Sequence, residues 1–170
     1  KLSSVHALAE AREAGRPLVT VCSACHNVIK QTNYALQNDA EFANKVHNYL
    51  VQDKYPGEPY NGETTVYHYL ELLRDVVGFE KLKQAVKNPL TGKKIAAYYG
   101  CMLLRPGKVM AMDDVENPRI LEDFIRALGA EPVLFPQRNE CCGGYVALED
   151  KALTAKKSNA VCSSALNGGA

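Results

Sequence analysis

The stretch PLVTVCSACHNV, residues 17–28, contains the local pattern that decides the fold. Residues 17–21 form a short, continuous apolar run, which is typical of a buried strand in a parallel sheet. Cys22 follows this run, Cys25 comes three residues later, and residues 26–37 have the apolar spacing of a helix. A strand, a cysteine pair and a helix in this order predict an α/β unit with thiols at the carboxyl end of a strand, where ligands bind in such folds.

The same arrangement recurs further along the chain. Residues 93–101, KKIAAYYGC, predict a second buried strand that leads to Cys101, and residues 131–136, EPVLFP, predict a third strand that precedes Cys141 and Cys142. Helices are expected over residues 6–14, 26–37, 41–52, 66–86 with a break near Gly78, 117–128 with Asn117 as its cap, and 149–166; residues 53–63 predict a loop. We therefore expect an α/β fold, a mostly parallel sheet flanked by helices.

Charge and composition narrow the functional classes. The chain has 170 residues and a formal net charge of +1, which argues against nucleic acid as its main partner. The longest apolar run, residues 95–104, is roughly half the length of a membrane-spanning helix. Six cysteines in uneven groups, without secretory features, favour metal or redox chemistry over structural disulfides and indicate the reducing cytoplasm.

The segment CSACH, residues 22–26, is compatible with four chemistries. A c-type haem needs export and a second axial ligand and leaves three other cysteines unexplained, so we expect His26 to lie in the first turn of a helix without a ligand role. Cys22 and Cys25 are also compatible with half of a zinc site. A redox-active dithiol at a helix N-terminus is the third possibility, and part of an iron–sulfur ligand set is the fourth.

The adjacent pair Cys141 and Cys142 helps to distinguish between these four chemistries. Neighbouring side chains in an extended backbone point apart, so two adjacent thiolates suit different irons of a cluster better than one small ion. Gly143 and Gly144 allow the backbone to approach a bulky cofactor. The number of soft thiolates therefore favours an iron–sulfur cluster, with zinc as the alternative.

Cys162 lies apart from these groups. It shares a predicted helix face with Ala152, Ala155 and Leu166, which predicts a buried cysteine that packs as a small apolar residue.

These motifs resemble a known family. YYGCMLLRP, residues 98–106, followed by CCGG at residues 141–144, is similar to the cysteine-rich CCG domain, and residues 116–136 are similar in particular to the B subunit of heterodisulfide reductase. The family motif is a single cysteine, then Cys-Cys-Gly, then Cys-x-x-Cys, and it occurs twice in that subunit. Cys101, Cys141 and Cys142 match the first three ligands of the second copy. Cys22 and Cys25 match the closing Cys-x-x-Cys of the first copy.

The resemblance implies a cofactor and an activity. Each complete motif of the family holds a non-cubane [4Fe–4S] cluster through five cysteines, and the pair of clusters reduces a disulfide substrate, such as the mixed disulfide of coenzymes M and B, to two thiols. It also implies two partners, one a flavin-containing subunit and the other a small ferredoxin-like subunit. Related proteins instead transfer electrons in lactate, glycolate or succinate oxidoreductases. From the residues alone, a zinc-stabilised structural domain that docks to partner subunits stays a third possibility.

The resemblance also implies an incomplete pair of modules within a duplicated, Rossmann-like architecture. Residues 1–90 would be the end of the first CCG module with a helical connection, and residues 91–170 would be most of the second module, before its Cys-x-x-Cys. We therefore expect the chain to be a fragment of a longer subunit, inactive alone. Met102 occupies a position where the family often has histidine. Arg105 and Lys108, in the following loop, are candidates to bind an anionic substrate, although a solvated loop explains them as well.

Overall fold

Strands and helices alternate along the chain, which confirms the α/β class. The computed structural model describes residues 2–55 and 57–170. The helices are α1 (Leu2–Glu13), α2 (Ser23–Asn38), α3 (Ala40–Gln52), α4 (Tyr69–Glu71), α5 (Phe79–Ala85), α6 (Gly107–Met110), α7 (Ile120–Ala127) and α8 (Lys151–Asn167). The strands are β1 (Leu18–Thr20), β2 (Val66–His68), β3 (Lys94–Ala96) and β4 (Glu131–Val133). None of the helices in the described ranges is long and apolar enough to cross a membrane.

The described residues form two compact units, each with its own pair of parallel strands. Unit 1 comprises the described residues up to Tyr69 together with Lys108–Met110, and unit 2 comprises Leu70–Gly107 and Ala111–Ala170. In unit 1, β1 pairs with β2, with Leu18 opposite Val66 and Thr20 opposite His68. In unit 2, β3 pairs with β4, with Lys94 opposite Glu131 and Ala96 opposite Val133. The expected parallel pairing is present, divided between two small sheets.

Each unit also has its own apolar core. In unit 1, α1, α2 and α3 pack together around the buried side chains of Val5, Leu8, Ala9, Leu36, Val46, Leu50, Tyr60 and Val66. The main cluster of unit 2 consists of Leu70, Tyr99, Leu103, Leu104, Met112 and Ile120, and Ala97, Ile125 and Ala130 form a second cluster beside it. Complete burial of each larger side chain stabilises its unit by about 1.5–3 kcal/mol.

The predicted helix over residues 66–86 is wrong at its start. Residues 66–68 are strand β2, because their backbone pairs with β1 and this pairing overrides the local helical pattern. The chain then turns into α4 and a π-helical segment, Leu72–Val77. The break expected near Gly78 is present, with Gly78 at φ +85° between the π-helical segment and α5.

The predicted cap of the helix near residue 117 is also wrong. Helix α7 begins at Ile120, and the carboxylate of Asp113 accepts hydrogen bonds from the backbone N–H groups of Arg119 and Ile120 at 2.6 and 2.7 Å. The side chain of Asn117 instead accepts a hydrogen bond from Arg138 at 2.7 Å. A residue seven positions before the helix therefore satisfies its first N–H groups, which local capping rules do not anticipate.

The prediction for Cys162 is wrong as well, because its side chain is exposed. The inward-facing side of α8 passes through Thr154, Ser158 and Val161, of which Val161 is buried. These positions follow helical spacing, and Cys162 lies about 100° around the helix from Val161. The stripe of Ala152, Ala155 and Leu166 that suggested burial faces outward instead.

Strand β1 is less buried than its apolar run predicted. Val19 is 39% exposed and Val21, just after the strand, is 79% exposed. In a two-stranded sheet each strand has only one partner, so an apolar run does not imply coverage on every side. Thr20 is the buried residue of β1, and its side chain becomes important for the cysteine pair that follows.

Candidate functional site

Cys22 and Cys25 lie together at the start of helix α2. Cys22 is the cap residue of the helix, in extended backbone conformation (φ −109°, ψ 121°), and Cys25 is in its first turn. The Sγ atom of Cys22 accepts a hydrogen bond from the backbone N–H of Cys25 at 3.4 Å. Both side chains are exposed. The strand-to-helix turn therefore presents two accessible thiols on one side of unit 1.

The two thiols of this pair differ in acidity. Hydrogen bonds from the backbone and thiol of Cys25 lower the pKa of Cys22 below its ordinary value. The same contact, with the negative charge of Cys22, raises the pKa of Cys25. The thiolate is the form of cysteine that binds metals, and the helix N-terminus favours that form at Cys22.

His26 belongs to the interior of unit 1. Its ring is fully buried, and Nδ1 is hydrogen-bonded to the hydroxyl of Thr20 at 2.8 Å. The ring of His68 contacts it edge-on, with ring centres 5.3 Å apart. The expected position in the first turn of α2 is confirmed. This buried, hydrogen-bonded imidazole does not fit a c-type haem, whose iron needs the ring as an axial ligand.

In unit 2, three half-buried thiols lie close together. They are Cys101, which follows β3, and the adjacent Cys141 and Cys142, which follow β4. The thiol of Cys101 lies close enough to the thiol of Cys141 for the two to interact, although 39 residues separate them in sequence. Burial raises the pKa of the Cys101 thiol, and the neighbouring thiols of Cys141 and Cys142 raise it further.

The two glycines after Cys142 shape the turn around these thiols. Gly143 has φ +75°, and its N–H donates to Sγ of Cys141 at 3.3 Å. A Cβ at Gly143 would lie 3.0 Å from Cδ of Lys157, so a larger residue would be strained and crowded. Helix α8 holds the turn from the other side, because the hydroxyl of Thr154 donates to the carbonyl of Gly143 at 3.0 Å. The hydroxyl of Ser158 donates to the carbonyl of Cys142 at 3.3 Å.

Tyr98 contacts the same cysteines and was not anticipated from the sequence. Its hydroxyl donates to the carbonyl of Glu140 at 2.6 Å, directly before the cysteine pair. Burial raises the pKa of Tyr98, and a hydrogen bond with Cys142 raises it further. The phenol therefore stays neutral and able to donate beside the thiols. The only sequence signal was its place three residues before Cys101.

A buried polar network also supports unit 2, and we call Tyr99, Glu122 and Arg138 the Glu122 network. Glu122 is 1% exposed and accepts hydrogen bonds from the hydroxyl of Tyr99 and, at 2.6 Å, from the guanidinium of Arg138. Burial raises the pKa of Tyr99, as does its hydrogen bond to Glu122. Sequence reasoning missed all three residues, because charged residues on an amphipathic helix usually face water.

The five predicted ligands are thus divided between the units, two in unit 1 and three in unit 2. In the part of the chain that the structure describes, no three Cys, His, Asp or Glu groups are arranged to hold a metal ion. The cysteines described here are free thiols. Soft, accessible thiolates of this kind fit an iron–sulfur cluster or zinc, and adjacent thiols at a glycine turn suit a cofactor larger than one ion.

The two candidate anion-binding residues belong to different units. In unit 2, Arg105 contacts the carboxylate of Glu116 at 3.0 Å. In unit 1, the ammonium of Lys108 lies 5.7 Å from the centre of the Tyr34 ring, and its hydrogen bond with the Tyr34 hydroxyl raises the pKa of Lys108. Met102, beside Cys101, is 41% exposed. Arg105 and Lys108 therefore each have a contact within their own unit.

This arrangement of thiols matches a known family. Residues 95–165 match the cysteine-rich domain named CCG. This part of the chain is a CCG domain. The CCG domain contains Cys101, the Cys141–Cys142 pair and the whole Glu122 network. The resemblance found in the sequence is therefore confirmed.

Curated relatives extend the similarity beyond the CCG domain. The chain is 34% identical over 129 residues to the B subunit of the ferredoxin/F420H2-dependent CoB-CoM heterodisulfide reductase of Methanosarcina acetivorans, covering 76% of this chain and 42% of that protein. It is 30% identical over 158 residues to the 8-methylmenaquinol:fumarate reductase membrane anchor subunit of Wolinella succinogenes, covering 93% and 53%. A heterodisulfide reductase B-subunit-like protein of Archaeoglobus profundus is 33% identical over 138 residues, covering 80% and 45%. The chain thus spans about half the length of these relatives.

Proposed function

We propose that this chain is part of an iron–sulfur oxidoreductase subunit that reduces a small disulfide to two thiols. The observation that carries the proposal is the contact between Cys101 and Cys141, with Cys142 adjacent, inside a CCG domain. Similarity to the B subunit of heterodisulfide reductase supports the same reaction class. Cys101 and Cys141 are far apart in the sequence, so only the fold brings their thiols together. Thiols that a fold gathers from distant segments are typical of a ligand set, and this supports a ligand role.

The proposed ligands belong to two clusters. Cys101, Cys141 and Cys142 would supply three of the five cysteines that hold one non-cubane [4Fe–4S] cluster. Cys22 and Cys25 would supply two of the five for another. The modules would be residues 1–90, with the end of the first motif, and residues 91–170, with most of the second. When bound, such clusters supply single electrons, and a disulfide takes up two electrons and two protons to become two thiols.

The side chains of this chain would orient the ligands and control water around them. The hydrogen bond from Cys25 keeps Cys22 suited to bind as thiolate. Tyr98 places a neutral hydroxyl near Cys142, and such contacts around thiolates tune the potential of a bound cluster. The half-exposed position of Cys101 would leave one side of its site open to the substrate.

The electrons would come from partner subunits. We propose a flavin-containing partner and a small ferredoxin-like partner, each a separate protein of the same complex. The relatives are named as subunits, in agreement with a multi-subunit reductase. Accessible thiols without disulfide partners suit a reducing cytoplasm, where we place the protein.

A second candidate function is electron transfer without disulfide chemistry. The relative from Wolinella succinogenes, which matches 93% of this chain, is named for quinol:fumarate reduction rather than for a disulfide. The same thiols would then hold clusters that only relay electrons, as in lactate, glycolate or succinate oxidoreductases. The two functions are separated by oxidation of the dithionite-reduced protein with added disulfides, measured on a version of the chain extended at both ends to the length of the relatives. Disulfide-dependent oxidation supports the first function, and its absence supports the second.

The metal content tests both functions against a zinc-stabilised domain. Iron, zinc and acid-labile sulfide would be measured per chain in anaerobically purified protein, for this chain and for a version extended at both ends to the length of the relatives. We expect about eight irons in the extended protein, as two [4Fe–4S] clusters require, and few here. Zinc without iron or sulfide in both proteins would overturn the proposal.

A further inference from the structure

One carboxylate holds the two chain segments that carry Cys101 and Cys141. Glu122 accepts hydrogen bonds from Tyr99, two residues before Cys101, and from Arg138, three residues before Cys141. It lies on α7, so three separate segments of unit 2 meet at this side chain. Its hydrogen bonds go to residues beside both cysteines.

Backbone contacts connect the same two segments directly. The carbonyl of Arg138 accepts a hydrogen bond from the N–H of Tyr99 at 2.7 Å. The guanidinium of Arg138 also donates to the carbonyl of Pro118 at 2.7 Å, and the hydroxyl of Tyr99 accepts from the N–H of Leu121 at 2.9 Å. Each partner of Glu122 is therefore fixed at both its backbone and its side chain. A fully paired, buried network of this kind permits few alternative arrangements.

We propose that Glu122 is the positioning residue that sets the separation between the thiols of Cys101 and Cys141. Its effect on cluster binding rests on the proposed function, because contacts outside the ligand shell orient metal ligands. The separation itself belongs to the metal-free protein. It is measured with a probe that binds only thiols close enough to be bridged.

The probe is phenylarsine oxide, which forms two As–S bonds with a pair of neighbouring thiols. The two thiol protons leave with the arsenic-bound oxygen as water, and neither sulfur nor arsenic is oxidised. The full chain would carry Cys22→Ser, Cys25→Ser, Cys142→Ser and Cys162→Ser, so that only Cys101 and Cys141 react. Mass spectrometry of the adduct identifies the bridged residues.

Glu122→Gln removes the charge while keeping the size of the side chain. We expect its affinity for phenylarsine oxide to fall about tenfold or more, which is the usual effect of removing a contact behind a metal ligand. The matched control is Asp123→Asn on the same helix, whose side chain is half exposed and pairs with Arg126. The control should bind the probe like the unsubstituted chain.

Stability needs a control of its own. Ile125→Val lowers stability through lost core packing, on the same helix but outside the Glu122 network. If Glu122 only stabilises the unit, Glu122→Gln and Ile125→Val will both bind the probe normally while folded. If Glu122→Gln does not fold, Tyr99→Phe tests the positioning role instead, because it removes only the hydroxyl that donates to Glu122. We expect Tyr99→Phe to bind the probe more weakly than the unsubstituted chain.

Unchanged affinity in folded Glu122→Gln and Tyr99→Phe would overturn the inference, as would an equal loss in Asp123→Asn. Iron content separates this inference from the proposed function. Loss of probe affinity with no iron in the extended protein would support the positioning role and contradict the cluster. Normal probe affinity in the variants, with full iron content in the extended protein, would contradict the positioning role and support the cluster.

Discussion

In unit 1 the two thiols stand three residues apart on one helix N-terminus, whereas in unit 2 Cys101 and Cys141 are 40 residues apart in sequence. The first pair needs only a strand that ends and a helix that begins. The second needs β3, β4, α7 and α8 in their places, together with a buried carboxylate that has two partners. Thiols that come from distant parts of the sequence therefore depend on residues outside the cysteine motif, whereas a pair of thiols on one helix turn does not.

The largest expected effect comes from removing one partner of the buried ion pair. Arg138→Met leaves the carboxylate of Glu122, 1% exposed, without its guanidinium. We expect the free energy of unfolding to fall by about 3–5 kcal/mol, because the remaining charge is buried. Urea unfolding followed by circular dichroism measures it. The exposed Arg126→Met is the control, with a loss of about 0–1 kcal/mol.

The double variant Glu122→Gln/Arg138→Met sharpens this comparison, since it removes both charges. We expect it to recover a large part of the lost stability while thiol bridging in unit 2 stays weak. A single Arg138→Met variant as stable as the Arg126→Met control would contradict the account of the Glu122 network.

The second prediction concerns the residues on either side of the local pair. Thr20→Val removes the hydroxyl that contacts Nδ1 of His26, and we expect a loss of about 1–3 kcal/mol because a buried polar atom loses this partner. Thr20→Ser keeps the hydroxyl and should lose less. Both variants should bind phenylarsine oxide at Cys101 and Cys141 normally. Weaker binding of the probe at Cys101 and Cys141 in either variant would contradict the conclusion that the cysteines of the two units depend on different residues.

The third prediction tests the cap of α7, the helix that carries Glu122. Asp113→Ala leaves the N–H groups of Arg119 and Ile120 without their carboxylate, at a cost of about 0.5–2 kcal/mol. Asn117→Ala, at the position that capping rules favoured, should instead act through its lost bond to Arg138. Thermal unfolding measures the loss of stability in both variants. If the cap and the Glu122 network are independent, the double variant Asp113→Ala/Asn117→Ala should lose the sum of the two.

The smallest expected effect is a pH dependence at Asp114. Hydrogen bonds from the N–H groups of Asn117 and Glu116 lower the pKa of Asp114. A lowered folded pKa stabilises the protein above the unfolded value, about 3.9, and the contribution is lost as pH falls through the folded value. The unsubstituted chain should therefore exceed Asp114→Asn in urea midpoint at pH 6, and the gap should close on acidification. A gap that widens at low pH would contradict the assigned hydrogen bonds.

The sequence predicted what local pattern and spacing determine. The α/β class, the start of a helix beside Cys25 and the break at Gly78 follow from apolar runs and glycine, and the CCG resemblance followed from the spacing of Cys101 and the Cys141–Cys142 pair. Tertiary contacts decided the rest. Strand β2 has a helical pattern and is a strand only because β1 pairs with it.

The same reason explains why the supporting residues were missed. Glu122, Asp113 and Tyr98 have partners 6 to 42 residues away in sequence, and nothing in their local surroundings marks them. Cys162 shows the opposite error, because an apolar stripe on α8 suggested a buried face that the packing of unit 2 does not use. Ligand residues are therefore easier to read from a sequence than the residues that position them.

The most direct test of two separate clusters is the iron content of single-cysteine variants in the extended protein. Cys22→Ser removes a ligand of unit 1 and Cys101→Ser a ligand of unit 2, and each variant should keep about four of about eight irons, one [4Fe–4S] cluster. The double variant should keep almost none. Complete loss of iron in either single variant, or no loss in both, would contradict the assignment of one cluster to each group of cysteines.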